Sequence, residues 1–281
     1  MVSTPPCVGV LCDLDFSSAG LRMQVVGLGF LFYSFVFLAA HGLSAALCAT
    51  YRGLPAKEKV FWDLAVTRAL FGVQGTAAGI GALTEDGALF ADKMRGQAGW
   101  SWFTVLTALG FFLFENMALH CSGLVFGSLD LTLALHHAYA LVGYTWAAGS
   151  VTLGHFLPVF TLLLEMSTPF TCVSWVMLKA GWSRTLLWKA NQWVMIHMFH
   201  CRMVISYYMW WVCWSYWEEM KTHVALVPRL VFLTGLTLLT LVFNPVWTHK
   251  KTMQLLNPVD WNFGDKPPPE NGPQQKKPHS S

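Results

Sequence analysis

Long apolar runs punctuated by short polar ones set the rhythm of this chain. Seven such runs can be drawn, at 23–49, 62–84, 100–122, 129–147, 156–178, 193–217 and 226–247. Each is about the 20 residues that a helix rising 1.5 Å per residue needs to cross roughly 30 Å of hydrocarbon. The stretch AGSVTLGH between the fourth and fifth runs is barely polar, so that pair also reads as a re-entrant hairpin, and a count of six spans stays open. The pattern predicts an all-α fold: a polytopic membrane bundle of about seven transmembrane helices.

Composition agrees with that medium. Hydrophobic residues make up 54% of the 281 positions and charged residues only 12%, with 20 Phe and 14 Trp, a balance foreign to a water-soluble globule of this length. The formal charge of +3 is too small to suggest nucleic acid, and no basic run is interleaved with aromatics. Basic residues are retained on the cytoplasmic side of a membrane. With seven crossings, one side collects Arg52, Lys57, Lys59, Lys179, Arg184, Lys189, Lys250, Lys251, Lys266, Lys276 and Lys277, the other only Arg22, Lys93, Arg95, Lys221 and Arg229. A lumenal segment 1–22, a first span at 23–49 and a cytoplasmic C-terminus follow. The segment before the first span has no basic run, so that span is expected to act as its own insertion signal. Cys7 and Cys12 would face the lumen, where a disulfide is chemically possible. The Pro-rich polar tail 264–281 is expected to be disordered.

Charged and polar residues inside the spans carry the candidate chemistry. Counted from the cytoplasmic end of each helix, Arg68 falls at about 9 Å, Glu115 at about 10 Å, His136 and His137 at about 10 to 12 Å, His200 at about 11 Å and Arg202 at about 14 Å. Such residues are costly in hydrocarbon and face a bundle interior or a wet cavity, so the layer predicts a polar chamber open toward the cytosol. Glu165 lies deeper, at about 20 Å, in LEMSTPF, where Pro169 deprives its carbonyl of a helical partner. Adjacent helical residues point about 100° apart, so one histidine of the pair faces the chamber while the other packs beside it. His197 and His200 share a helix face at i and i+3 but supply only two ligands, and no metal site is expected. Gly75 and Gly79 form a G-x-x-x-G, read as close helix contact. Arg202 is read either as the partner of Glu115 or Glu165 in a buried ion pair or as a substrate contact.

The double histidine and the blocks EKVFWDLAVTRALFGVQ, TLLLEMSTPFTCVSWVMLKAGW, NQWVMIHMFHCRMV and THKKTMQLLNPVDWNF closely resemble the TLC-domain family, with the domain spanning 62–263. That family is similar in fold to ceramide synthases, multi-helix endoplasmic reticulum proteins that transfer acyl groups from acyl-coenzyme A, with paired histidines in the catalytic chamber. The resemblance implies that role for His136 and His137, with His136 reactive; a carboxylate such as Glu115 or Glu165 could orient the ring. The ceramide synthases carry a further His-Asp element and a later Asp; here the matching region offers only Glu165, so ceramide synthesis is not carried over. Neutral imidazole can attack a thioester or take a proton from an attacking hydroxyl near neutral pH. Arg68 and Arg202 suit a phosphate, and with Glu115 and His200 they are the candidate substrate-binding residues. The expected substrates are acyl-CoA and a lysophospholipid such as lysophosphatidylglycerol, with no bound cofactor.

The resemblance leaves two other functions open: a receptor carrying lysosomal enzymes from the endoplasmic reticulum toward the Golgi with the export machinery, or a non-catalytic lipid sensor. Relatives cycle through the intermediate compartment by a cytosolic dilysine signal. Here Lys276 and Lys277 are shifted from its register, so residence in the endoplasmic reticulum is expected to depend mainly on the membrane domain.

Overall fold

The computed structural model describes residues 14–84, 87–183, 185–260 and 262–263. Cys7, Cys12 and the tail from Gly264 lie outside them. The described residues form helices and connecting turns, with no strand. In chain order the helices are α1 (Ala19–Leu47), α2 (Ala49–Gly53), α3 (Ala56–Thr84), α4 (Ala88–Ala91), α5 (Gly99–Phe126), α6 (Leu131–Gly149), α7 (Phe156–Thr161), α8 (Thr168–Lys179), α9 (Leu186–Ser215), α10 (Trp217–His223), α11 (Leu226–Leu238) and α12 (Asn244–Leu256). A 3₁₀ segment, Leu162–Ser167, joins α7 to α8, and a π segment, Leu239–Phe243, joins α11 to α12.

Local chemistry sets several of the starts and stops. The Ser18 hydroxyl, the Asp130 carboxylate and the Thr185 hydroxyl accept from the backbone N–H groups of Leu21, Leu133 and Trp188, capping α1, α6 and α9; a side-chain oxygen there satisfies a donor that the first turn leaves free. At the end of α5, Gly127 adopts φ 63°, the left-handed turn that glycine enters without steric cost.

The described residues contain seven helical rods of 19 residues or more: α1, α3, α5, α6, α7–α8, α9 and α11–α12. At one end, Phe16 stacks on Trp102, the 94–96 turn bonds to the 154–155 turn through Gly154 N–H to Met94 O at 2.8 Å and His155 N–H to Gly96 O at 2.9 Å, and Lys93 lies over Tyr216. At the other, Lys179 Nζ meets Glu58 at 2.9 Å and Asp260 at 2.7 Å. Four of the helical rods, Ala19–Leu47, Gly99–Phe126, Phe156–Lys179 and Leu226–Leu256, are long and apolar enough by length and composition to cross a membrane. The rods α3, α6 and α9 carry Arg68, the histidine pair and Arg202.

Helix α5 is the hub, with most of its residues buried. α1 crosses it where Gly29 meets Gly110: a Cβ on Gly110 would lie 2.6 Å from Phe30 N and Val26 O. The other face of α1 exposes Leu28, Leu31, Phe35 and Leu38, as an outer helix in lipid should. α3 leans on the 3₁₀ segment through Gly72, Gly75 and Gly79, whose added Cβ atoms would meet Pro169, Leu162 and Leu163. The expected contact role of Gly75 and Gly79 is thus seen, with the 3₁₀ segment as partner and Gly72 extending the same face. The 3₁₀ segment also answers the Pro169 problem: the Thr168 N–H closes an i to i+3 bond onto Glu165 O, so the carbonyl expected to lose its partner is satisfied by a tighter turn.

Candidate functional site

The two histidines leave α6 in different directions, as the 100° step requires. His137 is buried and turns toward α5, where Glu115 Oε1 lies 3.9 Å from its Nε2, too far for a hydrogen bond. Its backbone carbonyl accepts from Asn116 Nδ2 at 3.1 Å, which ties α6 to α5 at this level. His136 is half-buried and turns toward α11 and α12, its ring 5.6 Å from that of Phe243 and 5.2 Å from that of Trp247. The two imidazoles remain neighbours, with centroids 5.3 Å apart.

The ion pair of the layer joins Arg68 to Glu115. Arg68 Nε donates to Glu115 Oε1 at 2.8 Å and its Nη2 contacts the same oxygen. Glu115 is fully buried and its second oxygen has no hydrogen-bond partner among the described residues. Arg202 is buried too, but on neutral partners: Nε donates to Asn244 Oδ1 at 3.1 Å and Nη1 to Ser167 Oγ at 2.9 Å, while Asn244 Nδ2 donates to Ser206 Oγ at 3.0 Å. No described carboxylate pairs with Arg202, so of its two sequence readings the ion pair with Glu115 or Glu165 is not formed. Its guanidinium lies 5.4 Å from the Trp247 ring centroid, and Trp247 in turn packs on His136.

His136 and Glu165 line one cavity of about 140 Å³, together with Tyr139, Tyr144, Thr161 and Phe243. Apolar side chains dominate its wall, including Phe112, Leu162, Leu236 and Leu239. The polar chamber expected from depth is in this respect an apolar one with a few polar groups on its surface, because Arg68 and Glu115 pair inside the helix contacts and Arg202 is held there by Asn244 and Ser167. Glu165 is half-buried and accepts from Thr168 Oγ1 at 2.6 Å; Tyr144 donates to Pro158 O at 2.7 Å. His200 and His197 sit on an exposed face of α9, rings 6.3 Å apart, and are not brought to the cavity. Among the described residues no group of three or more His, Cys, Asp or Glu is placed to hold a metal ion.

Sequence reasoning missed Asn116, Ser167, Tyr144 and Asn244. Asn244 had a signal, since NPV inside an apolar run marks a disturbed helix, and the π segment ends there. Polar residues at π bulges are a recurring mark of functional sites.

This arrangement of a double-histidine helix packed on a buried Arg–Glu pair sits inside a helical membrane bundle, and the sequence matches the family model described as TLC domain over residues 62–251. The chain therefore belongs to the TLC-domain family and is a multi-pass membrane protein. It is similar to Protein CLN8 of Homo sapiens, 59% identical over 251 residues that cover 89% of this chain and 88% of the relative. It is also similar to Protein CLN8 of Canis lupus familiaris, 56% identical over 93% and 91% of the two chains, and of Rattus norvegicus, 55% identical over 94% and 91%. No solved structure matches the chain.

Proposed function

We propose that the protein is an acyltransferase of the endoplasmic reticulum membrane that moves an acyl chain from acyl-CoA to a lysophospholipid, with His136 as the reacting imidazole. One observation carries this reading: of the two histidines, His136 lines the apolar cavity beside Glu165, whereas His137 is buried behind it toward the Arg68–Glu115 pair. An apolar cavity suits an acyl chain, and a few placed polar groups suit the atoms that react. As general base, neutral His136 takes the proton of the lysophospholipid hydroxyl while that oxygen bonds to the thioester carbon. The carbon–sulfur bond then breaks and the imidazolium returns the proton to the departing thiolate. Attack by the imidazole itself, through an acyl-imidazole, is the other course open to the same residue.

The Arg68 fork is already occupied by Glu115, so the contact to an anionic headgroup falls to Arg202. That residue has no carboxylate partner among the described residues and lies one ring away from His136. His137 and Asn116 hold α6 in register, and Glu165, on the wall of the same cavity as His136, is the acid for orienting a ring or a hydroxyl.

The test is acyl transfer from labelled acyl-CoA to lysophosphatidylglycerol by membranes carrying wild type, His136→Ala or His137→Ala, each checked for normal expression and thermal stability. His136→Ala is expected to lose at least 100-fold in rate, within the range of a lost general base, with His137→Ala reduced less. Full activity in His136→Ala overturns the role given to that residue. Full activity in both variants removes histidine chemistry altogether and favours the reading of the protein as a lipid-binding or cargo-carrying one.

A further inference from the structure

A second apolar cavity, of about 80 Å³, lies at the opposite end of the bundle from the Lys179–Asp260 contact, between α6 and α11. It shares Gly143, Pro158, Val231 and Phe232 with the histidine cavity, so the two adjoin along the α6–α11 seam. At its far mouth stand two cations, Lys93 and Arg229. Lys93 is 8% exposed and its ammonium donates to Phe90 O at 3.0 Å, with the rings of Phe90, Phe156 and Tyr216 at 4.0, 5.1 and 5.6 Å. The Arg229 guanidinium lies 5.7 Å from the Trp217 ring, and its Nη1 is buried with no hydrogen-bond partner.

Neither cation has a carboxylate among the described residues. Among the described residues the acids of the neighbouring turns are committed or face outward: Asp92 pairs with Arg95 at 3.1 Å, Glu218 with Lys221 at 2.7 Å, and Glu219 is exposed. A buried cation with only ring faces and one carbonyl to answer it has spare donors and an uncompensated charge, which is costly in a low-dielectric setting. The two cations stand in the wall of a groove that is otherwise mainly apolar. Gly143 leaves the α6 wall open, since a Cβ there would meet nothing within 4 Å. A ligand that answers all of this carries an anionic head and an aliphatic chain.

We propose that Lys93 and Arg229 form a headgroup clamp for an anionic phospholipid of the surrounding bilayer, its phosphate between the two cations and one acyl chain in the α6–α11 groove. The site is separate from the Arg202 contact and does not depend on the reaction proposed for His136.

Native mass spectrometry of the full-length protein, purified after reconstitution in mixed phosphatidylcholine and phosphatidylglycerol bilayers, tests the clamp. Wild type is expected to retain phosphatidylglycerol at least several-fold over its share of the bilayer. The double variant Lys93→Met/Arg229→Gln is expected to lose that preference, and His136→Ala to keep it. Gly143→Leu, which fills the groove and keeps both cations, is expected to lower retention of either lipid. Equal retention of the two lipids by wild type overturns the proposal even if the double variant fails to fold, and so does an unchanged preference in a folded double variant. Displacement of the bound lipid by millimolar inorganic phosphate would show an ion site without a chain site and would likewise overturn it.

Discussion

Glu115 and Arg202 show how differently two buried charges can be accommodated within one layer. Glu115 has a cation of its own in Arg68, and breaking such a buried pair from one side costs about 3–5 kcal/mol because the remaining charge is stranded. Arg68→Met is therefore expected to unfold at clearly lower temperature in a detergent thermal-shift assay, with Arg68→Met/Glu115→Gln recovering most of the loss; a double variant no better than the single would show that Arg68 acts through packing. Arg202 is held by a fork whose two arms reach Asn244 and Ser167 on different elements. Arg202→Lys keeps the charge and loses the fork, so its melting temperature is expected to fall nearly as far as that of Arg202→Met, and a wild-type melting temperature in Arg202→Lys would refute the fork. Helical depth brought Arg68, Glu115 and the histidines to one level in the sequence. It could not say which charge faces which, because pairing depends on helix rotation and on neutral partners such as Ser167 and Asn244, whose residue types carry no depth signal.

Among the elements, α3 and the two irregular segments decide where the site lies. The glycine face of α3 lets the 3₁₀ backbone come close enough to hold Glu165 at the cavity wall: a Cβ on Gly79 would stand 2.8 Å from both the backbone nitrogen and the Cβ of Leu163. Backbone cannot step aside cheaply, so Gly79→Ala is expected to cost about 1–3 kcal/mol, the usual range for overpacking. Gly27 on α1 has nothing within 4 Å of an added Cβ, and Gly27→Ala should be neutral or slightly stabilising, since alanine is the better helix former. Equal melting temperatures for the two variants would mean that the α3 contact tolerates separation. The G-x-x-x-G spacing of Gly75 and Gly79 was visible in the sequence, as was the helix break before Pro169. That the two features meet was not, because the 86 positions between Gly75 and Leu162 leave their juxtaposition to the packing of the whole bundle. The π segment was hidden for a related reason: an inserted residue shifts the helix phase without altering the apolar character of the run.

At the scale of the molecule, the number of membrane crossings and the sidedness of the ends turn on the connection 150–155. In the structure this turn bonds to the 94–96 turn, at the end of the bundle that also holds Phe16 and α10, and away from the end where Lys179 binds Glu58 and Asp260. If every pass through the bundle is also a pass through the membrane, residues 150–155 and α10 share one side, while 127–130 and 180–185 share the other. On the expectation that basic residues are retained on the cytosolic side, the second of these would be cytosolic, since Arg52, Lys57, Lys59, Lys179, Lys189, Lys250 and Lys251 belong to that end. A re-entrant hairpin built from α6 and α7–α8 would instead keep 150–155 from reaching the lumen. The sequence contains no N-x-[ST] acceptor, so an inserted polar loop carrying one reports sidedness against a clean background. Insertion after Val151 or after His223 is expected to give a glycosylated, endoglycosidase-sensitive protein in microsomes, and insertion after Gly127 or after Gly53 an unmodified one. A glycan after His223 with none after Val151 would establish the hairpin and reduce the crossings to five. Glycans after Gly53 and none after His223 would reverse the orientation, and with it the access of acyl-CoA to the end of the bundle from which the depth of His136 was counted.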